Sequence, residues 1–344
     1  MNIPIVVIGS GPSAFILSLY LQKYKVNHKL VLCRNPSCGK VGESLLPSIQ
    51  SHFINLNLPS SDFFKRSFIK RGVNFKSESI SQCLRFDASG PYFSYNLDRY
   101  DLDTYLLEVY RSRGGEVINA KTIKIIDSDN KYLLKVLTTD DIITFNGIIV
   151  DATGSPRLSS AHIKNHFSTN LRNKASVFWT LLSRHTSNDF NFVDIFLDKH
   201  QSWFWHIPIK SLPDGIVSSI GYVSSASCTL VPDYDKFYSM FDLKPVNSYL
   251  NYPSSDAPVH RADFNYIRNS FFDKNLILCG DSAAFVDPMM SSGVHFCAYS
   301  AYILSRILSN QYQQDDLVNN LLRYEISCLL EYLKFHQGVS CLYT

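Results

Sequence analysis

Residues 3–14 constrain this chain more than any others. Ile3 to Ile8 is a short run of Ile and Val ending at Gly9, the pattern of a strand buried on both faces. Gly9-Ser10-Gly11-Pro12-Ser13-Ala14 follows. Apolar residues at helical spacing come next (Phe15, Leu17, Leu19, Leu21), and then a second strand from Lys29 to Cys33. Strand, glycine turn, helix and strand within 33 residues open a dinucleotide-binding unit. Gly9 permits the tight turn, Gly11 lets the backbone approach a pyrophosphate, and Ala14 keeps the helix close to the sheet. The helix start offers free N–H groups to phosphate. The acid expected at the end of the second strand, which would accept ribose hydroxyls, is absent. Cys33 stands there, followed by Arg34, either a solvated side chain or one that lies over an adenine or meets a phosphate.

Length and composition set the bounds around this unit. At 344 residues and 45% hydrophobic, the chain has room for about two domains. A net charge of +3 with no basic tail gives no reason to expect a nucleic-acid partner. No apolar run reaches the length of a membrane helix. The first ten residues read as a strand rather than a signal peptide, so the expected location is cytoplasmic. The 8 cysteines are scattered without a C-x-x-C pair or metal-ligand spacing, and they read as reduced thiols.

Later segments return to the same sheet. Tyr105 to Arg113 reads as a helix ended by Gly114-Gly115. Glu116 to Ile126 and Tyr132 to Leu137 alternate like strands, and Asn146 to Val150 is an apolar strand running into Asp151-Ala152-Thr153-Gly154. The middle differs. Val177 to Thr180, Phe192 to Leu197, Ser202 to Ile209 and Ile216 to Val223 read as antiparallel strands separated by turn signals. Leu276 to Cys279 is another buried strand. Helices near 293–309 and 315–335 follow it. The fold class is therefore α/β, a Rossmann-like nucleotide domain interleaved with a mostly antiparallel β substrate domain. The expected nucleotide domain is 1–60, 95–164 and 262–344; the expected substrate domain is 61–94 and 165–261.

The strand ending at Cys279 runs into Gly280-Asp281, and Asp287-Pro288-Met289-Met290-Ser291-Ser292-Gly293-Val294-His295 opens a helix. An Asp at a strand end can accept a hydrogen bond from a ribityl hydroxyl. A helix starting near Gly293 can aim N–H groups at the electron-rich edge of a flavin.

At this point the sequence resembles the FAD-dependent monooxygenase and halogenase family, which has the fold of para-hydroxybenzoate hydroxylase. The resemblance covers nearly the whole chain. It is carried by Val41-Gly42-Glu43-Ser44-Leu45-Leu46-Pro47, by Arg99 with Asp103 at a helix start, and by Asp263-Phe264-Asn265-Tyr266 before the last strand. Trp203-Phe204-Trp205-His206-Ile207-Pro208 is similar to the W-x-W-x-I-P signature of the halogenase branch. Period-2 spacing puts the two tryptophans on one face of a strand, as a tunnel wall or as core. Lys70, in Phe68-Ile69-Lys70-Arg71-Gly72-Val73-Asn74-Phe75, falls on the segment of that branch's catalytic lysine. By spacing alone it belongs equally to a solvated basic face.

The resemblance implies FAD as cofactor, held by Gly9, Gly11, Pro12, Ser13, Ala14, Arg34, Glu43, Ser44, Arg99, Ile123, Asp281, Ser292, Gly293 and Val294. It implies catalytic roles for Lys70, Trp203 and Trp205. It also departs from the family at one place. Tryptophan halogenases carry a glutamate where this chain has Met290, which argues against the free-tryptophan reaction. His206 and His295 are further candidates for a general base, or satisfied buried histidines.

The expected function is oxygenation of an aromatic ring by reduced flavin and O2. No second G-x-G-x-x-G is present for a separate NAD(P)H domain, which favours an external flavin reductase. The chain looks like the short flavoproteins that help form cysteine tryptophylquinone in amino-acid oxidases. That likeness makes a tryptophan in a precursor oxidase the expected substrate. The alternatives are a halogenase or hydroxylase of a small aromatic metabolite, a reductase of isolated double bonds, and a non-catalytic FAD-binding maturation partner.

Overall fold

The computed structural model describes residues 4–58, 64–65, 67–79, 81–89, 92–154, 158–163, 165–168, 173–182, 190–198, 202–225, 233–248, 258–262, 265–309 and 314–343. The first half of the chain runs β1 (Ile5–Ile8), α1 (Pro12–Lys23), β2 (His28–Leu32), α2 (Ile49–Asn55), β3 (Phe68–Lys70), β4 (Gly72–Lys76), β5 (Ser81–Arg85), β6 (Ser94–Asn96), α3 (Arg99–Ser112), β7 (Val117–Asn119), β8 (Thr122–Ser128), β9 (Lys131–Leu137), β10 (Ile142–Phe145) and β11 (Ile148–Asp151). The second half runs β12 (Asn165–Ser168), β13 (Asn173–Leu182), β14 (Phe192–Leu197), β15 (Trp203–Leu212), β16 (Gly215–Ser225), α4 (Tyr234–Met240), β17 (Pro245–Ser248), β18 (Val259–Ala262), β19 (Tyr266–Arg268), β20 (Phe272–Asp273), β21 (Leu276–Leu278), β22 (Ala284–Phe285), α5 (Ser292–Ser309) and α6 (Gln314–Tyr343).

A six-stranded sheet has the order β20-β21-β11-β1-β2-β7, parallel except for β20 at its edge. β1, β11 and β21 are buried along their whole length, which is why they read as unbroken apolar runs rather than alternating ones. β1 pairs with β2 on one side and β11 on the other, so the loops leaving β1 and β11 part. A crevice opens at the strands' carboxyl ends, the usual ligand position in such sheets. At Gly9 (φ +152) a Cβ would run into the Ala152 carbonyl oxygen and lie 3.0 Å from the Ala14 Cβ. The glycine and the alanine are both required by that close approach.

The second sheet has eight strands, β17-β13-β16-β15-β14-β4-β5 with β18 also paired to β13. Period-2 alternation divides its two faces. Val177, Val193, Ile195, Trp203 and Trp205 form one apolar cluster, and Phe178, Phe196, Phe204 and Tyr222 form another with Phe237 of α4.

Several elements differ from the sequence reading. Glu116–Ile126 is two strands, because the Ala120 N–H donates to Leu32 O in one sheet and the Lys121 N–H donates to Leu137 O in another. α3 begins at Arg99, six residues before the apolar periodicity suggests. Asp98 caps it by accepting from the Tyr100 N–H at 2.9 Å, and two of its first three inward residues, Arg99 and Asp103, are polar. The middle strands are not all antiparallel to their neighbours, since β4 joins β14 in parallel. α6 runs to Tyr343, well past the expected end at 335. Asp263 and Phe264 lie outside the described residues.

Candidate functional site

A cavity of about 250 Å³ lies against the eight-stranded sheet, facing the starts of α1 and α5. Pro12, Gly42, Glu43, Ser44, Arg99, Asp281, Ser291, Gly293, Val294 and Cys297 give it a polar wall, and Val177, Val193, Ile195, Trp203, Trp205 and Ile207 an apolar one.

The polar wall is assembled at the ends of elements. Pro12 starts α1, where its missing N–H costs nothing, and Gly11 before it adds no side-chain cap. The first N–H groups of α1 therefore remain for a ligand. At Gly280 (φ +61) a Cβ would strike Ser13 Oγ, so the turn after β21 sits on the first turn of α1. This places Asp281 on the cavity, where a carboxylate oxygen accepts from Cys297 Sγ at 3.6 Å. Ser291 (φ +55) turns the chain into α5, and Gly293 and Val294 in its first turn line the cavity. Arg99 donates to Val41 O at 2.6 Å and to Asp103 at 3.1 Å. Asp103, fully buried, also receives Lys40 at 3.0 Å, and Lys40 reaches Ser10 O at 3.2 Å. Loop 39–44, α3 and the glycine turn are thus tied into one frame.

Glu43 and Lys70 are the unusual charges. Glu43 is buried and accepts from Trp179 Nε1 at 3.0 Å, and burial raises its carboxyl pKa to about 7. Lys70, on β3, has no solvent exposure, which excludes a solvated basic face. Its ammonium donates to Leu45 O at 3.2 Å and to Ser291 Oγ at 3.3 Å, and sits 5.3 Å from the centre of the Phe86 ring. Burial lowers its pKa to about 7. Ser291 Oγ in turn donates to Ser44 Oγ at 3.1 Å. Lys70 does not itself line the cavity, but both serines it is linked to do.

On the apolar wall the Trp203 and Trp205 rings are 5.4 Å apart, centre to centre, and tilted by 44°. Trp205 Nε1 donates to Ser219 Oγ at 3.2 Å. Gly221 lies opposite Trp205 in the register, and a Cβ there would fall inside the indole.

The structure therefore gathers Pro12, Glu43, Ser44, Arg99, Asp281, Gly293, Val294, Trp203 and Trp205 around one cavity, with Gly9, Gly11, Ser13, Ala14 and Ser292 in the turns that shape it. Arg34 is joined to the glycine turn through its backbone N–H, which donates to Ser10 Oγ at 3.3 Å. Ile123 is on β8, half-buried against the core and away from the cavity lining. Both histidine candidates lie outside that lining. His206 is on the opposite face of its sheet, between Asp194 at 2.8 Å and Ser218 at 3.0 Å. His295 joins Ser48 at 2.7 Å to Glu331 at 2.9 Å. Asp151 is likewise an internal knot, holding Thr153 and Ser159. Met290 turns toward Gly338 of α6, and its neighbour Met289 lines the cavity instead. Trp179, Met289, Ser291 and Phe86 were missed as site residues. Only alternation marked Trp179 as inward, and nothing local pairs it with Glu43.

This donor set fits a flavin dinucleotide. α1 begins uncapped, Arg99 Nε is buried with no partner, and the first turn of α5 brings N–H groups to the cavity. The comparisons agree. The tryptophan halogenase family model matches residues 4–82 and 76–340, so the chain belongs to that family, and FAD is its cofactor.

Among curated relatives, flavin-dependent halogenase armH4 of Armillaria mellea is 24% identical over 89% of this chain and 64% of its own length. The 1H-pyrrole-2-carbonyl-[peptidyl-carrier protein] chlorinase of Pseudomonas fluorescens is 23% identical over 99% of this chain and 84% of its own. Putative FAD-dependent oxidoreductase LodB of Marinomonas mediterranea is 26% identical over 90% and 87%. The chain thus spans less than two thirds of the Armillaria halogenase. Among solved structures, the chondrochloren halogenase CndH superposes with a TM-score of 0.81 at 22% identity, over 98% of this chain and 81% of that one. Halogenase PltM in complex with phloroglucinol and FAD gives 0.78 at 17%, over 100% and 77%. At these identities the structures establish the shared fold, a mixed α/β one. No described helix is long and apolar enough to cross a membrane.

Proposed function

We propose that this chain oxidises an electron-rich aromatic ring held between the tryptophan wall and the flavin site. The observation that carries the reading is the buried Lys70–Ser291–Ser44 chain ending at the cavity. Reduced FAD and O2 supply the two-electron oxidant. Gly9, Gly11, Pro12, Ser13 and Ala14 hold the pyrophosphate, Asp281 the ribityl chain, and the start of α5 the flavin edge. Lys70, through Ser291, holds a proton or hydrogen bond beside the path of the oxidant. Val177, Trp203 and Trp205 exclude water and stack the ring.

The substrate proposed is a tryptophan side chain of a precursor oxidase, oxygenated during formation of a tryptophylquinone, with an external reductase supplying electrons. LodB, matched over most of its length, bears a general oxidoreductase name rather than a halogenase one. A second reading, halogenation of a small or carrier-bound aromatic, is favoured by the names of several relatives. Intact mass of a precursor oxidase after incubation with enzyme, FAD, reductase, O2 and halide separates the two. A gain of oxygen on one tryptophan is expected. A halogen gain, or turnover of free aromatics with the precursor unchanged, supports the second reading instead. Lys70→Met is expected to abolish product while FAD still binds.

A further inference from the structure

β6 is flanked on both sides by chain that runs against it. On one side Lys70 of β3 lies opposite Ser94. On the other, Ser44 lies opposite Asn96, and the Leu45 N–H donates to Tyr95 O at 2.9 Å. Opposed residues of antiparallel strands share a face, as do residues two apart on one strand. Lys70, Ser94, Asn96 and Ser44 therefore share one face of this layer, and Tyr95 takes the other. The Lys70 ammonium donates to Leu45 O at 3.2 Å, on the far side of β6 from its own strand. The lysine side chain thus runs across β6, past Ser94 and Asn96.

Both of those side chains are fully buried. Among the described residues, neither the Ser94 hydroxyl nor either end of the Asn96 amide bonds a protein atom. Buried polar groups without a protein partner are costly, and a polar site of this kind is met by ordered water. Leu45 O and Ser291 Oγ take two of the three ammonium N–H groups, and the Phe86 ring, 5.3 Å away, offers only its π face. No opposite charge offsets the burial that lowers the Lys70 pKa. The titratable groups on neighbouring elements are matched elsewhere: Glu43 by Trp179, His206 by Asp194, Lys210 by Asp101, Asp87 by Arg85 and His295 by Glu331. Arg71, next in the chain, is exposed.

We propose that Asn96 is the positioning residue of Lys70. Its amide oxygen, with the Ser94 hydroxyl, holds a water that accepts the third ammonium N–H. The lysine is thereby kept stretched toward Ser291. Because the amide carries no charge, the proton stays free to leave. An Asp of the same shape would pin the ammonium as an ion pair, and an apolar side chain would leave it less solvated. The consequence for turnover rests on the role proposed above for Lys70; the shared face does not.

NMR of the FAD-loaded full chain, with 13C-labelled lysine, reads the Lys70 titration directly. Its ε-carbon signal is assigned by its loss in Lys70→Met. Asn96→Asp is expected to raise the titration midpoint by about 1–3 pH units, as an opposite charge at close range does. Asn96→Leu is expected to lower it by about one pH unit, the loss of one hydrogen bond to the charged form. FAD affinity should be unchanged in both, and the alkaline limb of product formation against pH should move with each midpoint. A merely structural Asn96 would cost both variants stability and leave the midpoint in place. A midpoint in Asn96→Asp equal to that of the wild type overturns the proposal, and so does displacement in the same direction in both variants. If Asn96→Leu fails to fold, Asn96→Asp decides alone. Midpoints that move apart while product formation does not follow support the proposal and overturn the role given to Lys70.

Discussion

On the polar side of the cavity, most inward groups are held by at least one residue far away in sequence. Arg99 is fixed by Val41 and Asp103, Lys70 by Leu45 and Ser291, and Glu43 by Trp179. On the sheet side, Trp203 and Trp205 are set by strand register, with Gly221 leaving room for one indole. The first wall depends on charges whose removal leaves a buried partner unmatched. The second depends on shape. Damage to the polar wall should therefore reach the whole fold or the cofactor, whereas damage to the aromatic wall should stay local.

The sharpest way to break that contrast is Arg99→Met. It leaves the fully buried Asp103 with Lys40 alone, and removal of one partner from a buried pair costs about 3–5 kcal/mol. Urea denaturation of the variant should show a loss of that order. A loss under about 1 kcal/mol would mean that Lys40 suffices for Asp103 and that the frame is not cooperative. Next in size is Asp281→Ala. Losing a charge-assisted hydrogen bond to the ribityl chain should weaken FAD binding by about 1.5–3 kcal/mol, roughly tenfold to a hundredfold. Fluorescence titration of FAD checks this, and unchanged affinity would remove Asp281 from the cofactor site. Gly221→Ala tests the other wall. The new Cβ must push the Trp205 ring, an overpacking that costs about 1–3 kcal/mol. FAD affinity should be unchanged. A large loss of FAD binding in this variant would show that the two walls are coupled after all.

The same contrast governs what could be read from the sequence. Gly9, Gly11 and Ala14 announce themselves because their chemistry is local: a turn, a close approach and a helix start within six residues. The Trp203/Trp205 face was legible because period 2 fixes it. The break between β7 and β8 was not, because each of two adjacent amides belongs to a different sheet. Periodicity alone starts α3 late because buried Arg99 and Asp103 are polar; the family resemblance, not the apolar spacing, puts its start at Arg99. Trp179, which donates to Glu43, lies 136 residues from it, and Ser291, the side-chain partner of Lys70, lies 221 residues away; no spacing rule reaches that far. Lys70 stands beside Arg66 and Arg71 in the sequence and looks solvated; only the pairing of β3 with β6 takes it inside.

The most selective effect is a pH dependence written by those two groups. Glu43 has its carboxyl pKa raised by burial from 4.5 to about 7, and Lys70 its ammonium pKa lowered by burial from 10.5 to about 7. Between pH 4.5 and 7 the folded chain keeps the Glu43 proton that the unfolded chain has released, so this group makes stability fall as pH rises. Between pH 7 and 10.5 the unfolded chain keeps the Lys70 proton that the folded chain has released, so stability rises again. Each limb has a slope of up to about 1.4 kcal/mol per pH unit. Together they make a minimum near neutrality, where both groups pass through their folded-state titration. Glu43→Gln should flatten the acid limb alone, and Lys70→Met the alkaline limb alone, each measured as the difference from wild type in urea midpoint across the pH range. Gly221→Ala should shift the whole curve down and leave both limbs in place. If Lys70→Met instead runs parallel to wild type from pH 7 to 10.5, the ammonium is not carrying a burial penalty, and the polar wall is held less tightly than its distances imply.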